Sequence, residues 1–241
     1  LICFNTIFIK ISLTHFNRMK LIITFLIIHC SLFIPHSSLH SQPKLDVIYI
    51  DAGHGGKDPG TIGDKTGVQE KNIVLPIAVK LGKMIEDKYP GIKIVYSRTT
   101  DEFTTVKERT AQANNEKAKL FISIHANHKK MEESDKKGFE VYLLNKERMP
   151  EAVQFTLKEN YKLAFQKFGN DTLDNFIFAT LAQAGYTRMS EYLASIVEMS
   201  MIDHTQLETR GVYQAGNWVT LGASMPSVLV ETGYLSDIND E

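Results

Sequence analysis

The chain has 241 residues, of which 43% are hydrophobic and 23% charged, and its formal net charge is -1. This length and composition suit one globular domain with a full hydrophobic core, and they exclude wholesale disorder and a multi-span membrane protein. A nearly neutral chain lacks the broad basic field that attracts polyanions, so we expect no nucleic acid partner. We expect a monomer that recognises its ligand through a local site.

The N-terminal segment has the order of charges and apolar residues found in secretory signal peptides. A basic start at Met19 and Lys20 precedes an apolar run over residues 21–28, and a small, polar stretch follows to Gln42. The apolar run is well short of the roughly 20 residues that a bilayer crossing requires. We therefore expect residues 1–42 to hold upstream residues and a signal peptide starting at Met19. The alternative is an N-terminal helix that packs on the domain.

Export would place the mature domain, residues 43–241, in the periplasm or outside the cell, with no stable membrane span. Both cysteines, Cys3 and Cys30, lie in or before the leader, so this domain would contain none. Disulfides and thiolate metal sites are then excluded, and any metal ion needs histidine and carboxylate ligands.

Short apolar runs alternate with helical patterns, which is typical of an α/β fold with helices on the faces of its sheet. Strands are predicted at residues 46–50, 92–96, 120–125, 139–144 and 227–231. Apolar spacing predicts a helix over residues 69–87, where Pro76 is tolerable only near the first turn. Thr105 and Glu108 form a capping box that starts a second helix. The pattern after residue 145 predicts a helical insertion to about residue 189 and then an amphipathic helix from Ser190 to about Ser200.

Polar side chains stand where the predicted strands end. His54 lies in a glycine-rich loop after the first strand, and His125 ends a later strand. Glu70 lies at the start of the following helix, and two imidazoles with one carboxylate are usual ligands of a catalytic zinc. Glu231 also ends a strand, and a spare carboxylate on the same rim is suited to act as a general base.

Several segments, in this order along the chain, resemble the zinc-dependent N-acetylmuramoyl-L-alanine amidases of bacterial cell-wall remodelling. These are residues 50–60, 70–71, 97–98, Arg109 with 113–114, 123–127 and 226–234, which together span residues 46 to 237.

The resemblance implies a single α/β domain with a mostly parallel six-stranded sheet flanked by helices. It also implies Zn²⁺ held by His54, Glu70 and His125, with Glu231 as the catalytic acid/base. The substrate would be peptidoglycan, cut at the amide between the muramic acid lactyl group and L-Ala. In the family a helix normally follows the strand that carries this Glu, so we expect the native chain to continue past Glu241.

Other interpretations stay open. The metal ligands alone would also suit a zinc peptidase that cuts the stem peptide, and the scaffold could belong to a non-catalytic wall-binding or regulatory protein. His128 and His204 are expected at the surface, and Arg98 and Arg109 are expected to orient loops or pair with acidic groups.

The insertion is also similar to the regulatory segment of the division-associated amidases, where a helix carrying a Glu can occupy the open metal position. This similarity implies a helix that starts at Pro150 and bears Glu159 as the autoinhibitory carboxylate, withdrawn by an activator protein. The alternative is an ordinary surface helix with Val153, Leu157 and Tyr161 packed inward.

Overall fold

The structure is a computed structural model that describes residues 44–128, 137–154, 157, 172–216, 218–237 and 239–240. Within these residues, six strands form one sheet in the order β2-β1-β3-β6-β4-β5. The strands are β1 (Val47–Ala52), β2 (Lys93–Tyr96), β3 (Leu120–Asn127), β4 (Phe139–Leu144), β5 (Thr209–Ala215) and β6 (Ser227–Tyr234). The strands β2, β1, β3 and β6 run parallel to one another. β4 is antiparallel to β6, and β5 is parallel to β4. The predicted fold class, α/β with a mostly parallel six-stranded sheet, is confirmed.

Helices cover both faces of the sheet. They are α1 (Glu70–Lys88), α2 (Val106–Asn115), α3 (Thr172–His204) and the single turn α4 (Trp218–Leu221). Apolar side chains from α1 and α3 pack against one face, which includes Ile50, Ile124 and Val230. The other face includes Tyr49 and Phe121 and packs against α2 and α4. This alternation along each strand buries both faces, as expected for a sheet with helices on each side.

The start of α1 agrees with the prediction, but Pro76 lies beyond its first turn. A proline there removes one hydrogen bond inside the helix, to the carbonyl of Asn72, and crowds that carbonyl. The helix nevertheless continues to Lys88, because Val74 and Ala78 are fully buried against the sheet. Tertiary packing outweighs the local cost here. The predicted capping box at α2 is present, with both the Thr105 and Glu108 hydrogen bonds formed.

The expected amphipathic helix from Ser190 to about Ser200 is part of a longer helix. α3 begins at Thr172 and passes residue 189 without interruption. Its inner side buries Ala194, but Tyr192 and Met199 are 71% and 62% exposed, so apolar side chains lie on both sides. None of the helices among the described residues has the length and apolar character required to cross a membrane.

Candidate active site and metal centre

Three neighbouring strands carry the predicted site residues to one rim of the sheet. β1, β3 and β6 are parallel, so their carboxyl ends lie at the same edge, where ligands bind in α/β sheets. His125 and Glu231 are direct register partners, although both strands continue for a few residues beyond them. His54 follows β1 by two residues, and Glu70 is the first residue of α1. The structure therefore brings all four predicted residues together.

Two arginines hold the loop that carries His54. The Arg98 guanidinium donates to the carbonyls of Ala52 and Gly53, at 3.1 and 2.8 Å. The Arg109 guanidinium donates to the carbonyls of Ala52 and His54, at 2.5 and 2.6 Å. His54 has a φ of 57°, a left-handed conformation that costs on the order of 1 kcal/mol or more for a residue other than glycine. These bonds over-determine the loop and so sustain that conformation.

Arg109 also neutralises a buried acid next to the site. Asp51 is fully buried, pairs with Arg109 at 2.5 Å, and accepts a hydrogen bond from the Ser123 hydroxyl at 2.6 Å. Burial would raise the pKa of Asp51, but the charges of Arg109 and His125 and the hydrogen bonds from Ser123 and Arg109 together outweigh burial, and the pKa lies below its ordinary value. Arg98 and Arg109 thus orient a loop and pair with an acid, as predicted.

His54, Glu70 and His125 form a compact group that could hold a metal ion. One ligand atom from each lies within 4.8 Å of the others. Glu70 reaches His54 Nε2 with one oxygen at 3.1 Å and His125 Nδ1 with the other at 2.9 Å. Gly53 makes room for this arrangement, because a Cβ at that position would lie 2.4 Å from the His125 ring.

Glu70 is held in place as an anion. It is 2% exposed and accepts backbone hydrogen bonds from Thr61 at 2.9 Å and from Ala126 at 3.0 Å. Burial raises the pKa of Glu70, but the hydrogen bonds and charges of His125 and His54 together outweigh burial, and the pKa lies far below its ordinary range. Its position at the first turn of α1 adds the favourable end of the helix dipole.

Asp58 fixes the orientation of His54. Its carboxylate lies 2.8 Å from His54 Nδ1 and accepts a second bond from the Gly60 backbone at 3.1 Å. An ionised carboxylate can only accept, so Nδ1 carries the proton and Nε2 points its lone pair towards Glu70. Two acceptors that face each other at 3.1 Å require a cation between them, either a proton or a metal ion. Although burial lowers the pKa of His54, its contacts with Glu70 and Asp58 raise it to about 8. A proton on Nε2 can therefore form this bridge.

Glu231 lies beside this group but makes no bond to it. Its Oε2 is buried and has no hydrogen-bond partner within the described part of the chain. Burial raises the pKa of Glu231 to about 7; His125 opposes this rise, while the charges of Glu70 and Glu140 add to it. A carboxyl group that titrates near neutrality and has a free oxygen can both take and return a proton.

The four residues line an open cleft with a volume of about 540 Å³. Asp58 and the segment 126–128 form more of its wall. His128 is exposed and contacts Asp64 at 3.2 Å, and His204 bonds to Ser200 within α3, so both lie at the surface as predicted. The predicted autoinhibitory residue, Glu159, lies outside the described residues, as does the predicted leader.

Two acidic residues near the site were not among the residues predicted to matter. Asp58 follows the glycine-rich loop, where a polar residue is ordinary. Glu140 lies in β4 opposite Glu231, between apolar neighbours, and an alternating pattern assigns such a residue to the solvent side. It is in fact 4% exposed. The proximity of Glu140 to Glu231 could be found only from strand pairing.

The family model and two related proteins that match this chain carry the same description. Residues 48–241 match the family model described as N-acetylmuramoyl-L-alanine amidase. The chain is 34% identical over 202 residues to the probable N-acetylmuramoyl-L-alanine amidase AmiB of Haemophilus influenzae, covering 80% of this chain and 46% of that protein. It is 31% identical over 203 residues to the N-acetylmuramoyl-L-alanine amidase AmiC of Neisseria meningitidis, covering 81% of this chain and 47% of that protein.

The fold agrees with that assignment. The crystal structure of an N-acetylmuramoyl-L-alanine amidase from Clostridium difficile 630 superposes with a TM-score of 0.60 at 27% identity, covering 81% of this chain and 83% of that one. The chain spans about half the length of the AmiB and AmiC relatives. With the family model matched from β1 to the last residue, the chain belongs to the N-acetylmuramoyl-L-alanine amidase family.

Proposed function

We propose that this chain hydrolyses the amide between the lactyl group of N-acetylmuramic acid and L-Ala in peptidoglycan, with zinc as its cofactor. The observation that carries the proposal is the placement of Glu231, with its unpartnered oxygen, beside the His54, Glu70 and His125 group in one open cleft. The names of the related amidases supply the substrate class. An open cleft at a rim suits a polymeric substrate, which a closed pocket would exclude.

The donor set fits zinc. Two imidazole nitrogens and one carboxylate oxygen are the ligands of many catalytic zinc sites, which keep a fourth position for water. His54 and His125 each contact one oxygen of the Glu70 carboxylate, at 3.1 and 2.9 Å, and one ligand atom from each of the three residues lies within 4.8 Å of the others. Zinc held there would polarise the scissile carbonyl and make a water molecule more acidic.

The chain's own residues account for the proton transfers. The Glu231 carboxylate would take a proton from the attacking water, whose oxygen forms a bond to the lactyl carbonyl carbon. The carbon–nitrogen bond then breaks, and Glu231 returns the proton to the leaving amine of L-Ala. The first products are a lactyl carboxylic acid, which keeps the second proton of the water, and a neutral amine. Transfer of that proton from the acid to the amine gives the carboxylate and the ammonium group, so atoms and charge balance.

Export to the periplasm or the cell exterior is part of the same proposal, since the substrate lies there. It is supported by the charge and apolar pattern of residues 19–42. The activator protein and the monomeric state stay predictions.

The test is to digest purified cell wall and to identify the products by mass spectrometry. We expect glycan strands that carry a free lactyl group, and stem peptides that begin with L-Ala. Glu231→Gln should retain zinc and lose about 10²- to 10⁴-fold in rate. Cleavage inside the stem peptide would replace this proposal with a zinc peptidase, and wild-type turnover by Glu231→Gln would remove Glu231 from its role.

A further inference from the structure

Glu140 is a buried carboxylate held only by neutral donors. It is 4% exposed and accepts hydrogen bonds from Asn127 Nδ2 at 2.8 Å, Tyr142 Oη at 2.6 Å and Tyr234 Oη at 2.7 Å. No ion pair within the described ranges includes it. Burying a carboxylate costs several kcal/mol, and an apolar residue of similar size often stabilises a fold as well or better. A structural role alone therefore explains Glu140 poorly, and the residues that donate to it indicate a further role.

The donors of Glu140 lie at an irregularity in the sheet. After His125 pairs with Glu231, the next pair is Asn127 with Tyr234, so β6 has one residue more than β3 in this interval. Such a bulge redirects the side chains beside it. Asn127 and Tyr234, the first pair after the bulge, both donate to Glu140. Glu140 thus fixes the point at which β3 and β6 change register, directly after the His125 and Glu231 pair.

Asn127 connects Glu140 to the cleft. Asn127 lines the cleft wall beside His128. Its Oδ1 accepts the His128 backbone N–H at 2.8 Å, and its Nδ2 donates to Glu140, so the two ends of the amide are assigned unambiguously. An amide nitrogen has two N–H groups, and Glu140 takes only one of them. The other has no partner among the described residues.

We propose that Asn127 is a substrate-binding residue, whose second Nδ2 N–H donates to a carbonyl oxygen of the muropeptide, and that Glu140 is the positioning residue that holds it. This rests on the proposed function, because it needs a substrate rich in amide carbonyls in this cleft. Burial and the hydrogen bond to Glu140 raise the pKa of Tyr142 and of Tyr234, so both phenols stay neutral donors. The carboxylate thus accepts three hydrogen bonds from neutral donors, one of which orients Asn127.

The test measures binding of an intact, soluble muropeptide to zinc-loaded protein in the Glu231→Gln background, together with kcat and KM in the otherwise wild-type protein. Asn127→Ala should weaken binding and raise KM by about 10-fold, the usual effect of one lost hydrogen bond, with kcat changed less. Asn114→Ala is the matched control. Asn114 bonds the backbone of Gly222 and Ser224 with its two ends, at 2.9 Å each, and lies on α2 outside the cleft. We expect it to lower the melting temperature without changing KM.

Two variants of Glu140 test the positioning role. Glu140→Gln keeps an acceptor for Asn127, and the Tyr234 hydroxyl can rotate to accept from the new amide, so KM should stay near the wild-type value. Glu140→Leu removes the acceptor and should raise KM as Asn127→Ala does. The double variant Asn127→Ala/Glu140→Leu should raise KM no further than either of its single variants, since both substitutions remove the same contact.

The outcomes separate the two proposals. A wild type that binds the muropeptide but cuts another bond contradicts the proposed function and leaves the Asn127 contact measurable by binding. Wild-type affinity in Asn127→Ala overturns the binding role. Equal damage from Glu140→Gln and Glu140→Leu, or additive effects in the double variant, overturns the positioning role. If Glu140→Leu fails to fold, Asn127→Ala still decides the binding role, and a KM in Glu140→Gln raised as far as in Asn127→Ala overturns the positioning role.

Discussion

At the scale of single residues, the two histidines of the site are held in different ways. His54 donates from Nδ1 to Asp58, whereas His125 lies with its ring against Gly53 and its Nδ1 on Glu70. A carboxylate behind a ligand histidine sets its tautomer and raises its basicity. Asp58 is therefore expected to act on metal affinity although it would not touch the metal.

Asp58→Ala should lower zinc affinity by about 10- to 100-fold, because His54 loses the partner that orients its ring. The measurement is zinc competition against a chelator of known affinity. Asp64→Ala is the control, since Asp64 also contacts a histidine on the cleft wall, His128, but is 52% exposed at its side chain and lies outside the ligand group. Equal affinities in the two variants would contradict a special role for Asp58.

Glu231 gives a prediction about pH and stability. Burial raises its pKa to about 7, whereas a Glu in an unfolded chain titrates near 4.3. The folded state therefore favours the protonated carboxyl, and stability falls as the pH rises from about 4 through 7. In protein stripped of zinc, Glu231→Gln should be more stable than the wild type at pH 8, by on the order of 1 to 3 kcal/mol.

This advantage of Glu231→Gln should shrink towards pH 4, where the wild-type carboxyl is protonated in both states. Denaturant unfolding at several pH values measures it. Glu86→Gln, an exposed position on α1, is the control and should show no such trend. A constant difference between Glu231→Gln and the wild type would mean that burial does not govern the ionisation of Glu231.

The sequence identified the polar site residues that lie at the ends of predicted strands or at the start of a predicted helix. His54, His125 and Glu231 follow apolar runs, and Glu70 starts a helix, so convergence at one rim follows from the α/β pattern. Their assignment to zinc and to proton transfer stays a prediction. Asp58 and Glu140 could not be found in this way, because their importance depends on which side chains face them across a loop or a strand pair.

At the scale of elements, α1 shows how packing overrides local preference. It carries Glu70 at its first residue and a proline in its second turn. The spacing of apolar residues predicted this helix correctly. The sequence prediction restricted Pro76 to the first turn, since local helix preferences do not include the burial that keeps the helix intact.

Pro76→Ala should raise the free energy of unfolding by about 1 to 3 kcal/mol, because a hydrogen bond inside α1 is restored and the crowding is relieved. Denaturant titration provides the measurement. Lys80→Ala, also exposed on α1, should change stability by less than about 0.5 kcal/mol. A Pro76→Ala protein no more stable than the wild type would show that the helix has adapted fully to the proline.

Two elements escaped the sequence pattern for physical reasons. β5 lies at the sheet edge and is largely exposed, so it has no apolar alternation to reveal it. α3 has apolar residues on both sides, which hides the period on which helix bounds depend. The resemblance to the amidases implied the sixth strand that periodicity missed.

At the scale of the whole molecule, autoinhibition by Glu159 stays a prediction. Removing a carboxylate that competes for the open metal position should raise basal activity without changing the three ligands. Wall hydrolysis by Glu159→Ala, compared with the wild type in the absence of other proteins, is the measurement. Equal rates would exclude Glu159 as an inhibitor.

The sheet order has a consequence for the sequence in which the site residues come together during synthesis. β6 is the last strand along the described chain but lies between β3 and β4, in the interior of the sheet. A chain synthesised from its N-terminus can bring His54, Glu70 and His125 together once β3 has been made. Glu231 and the strand that joins the two halves of the sheet arrive last. Under the proposed function, we expect metal binding to precede hydrolytic activity, because Glu231, the proposed proton-transfer residue, joins the site last.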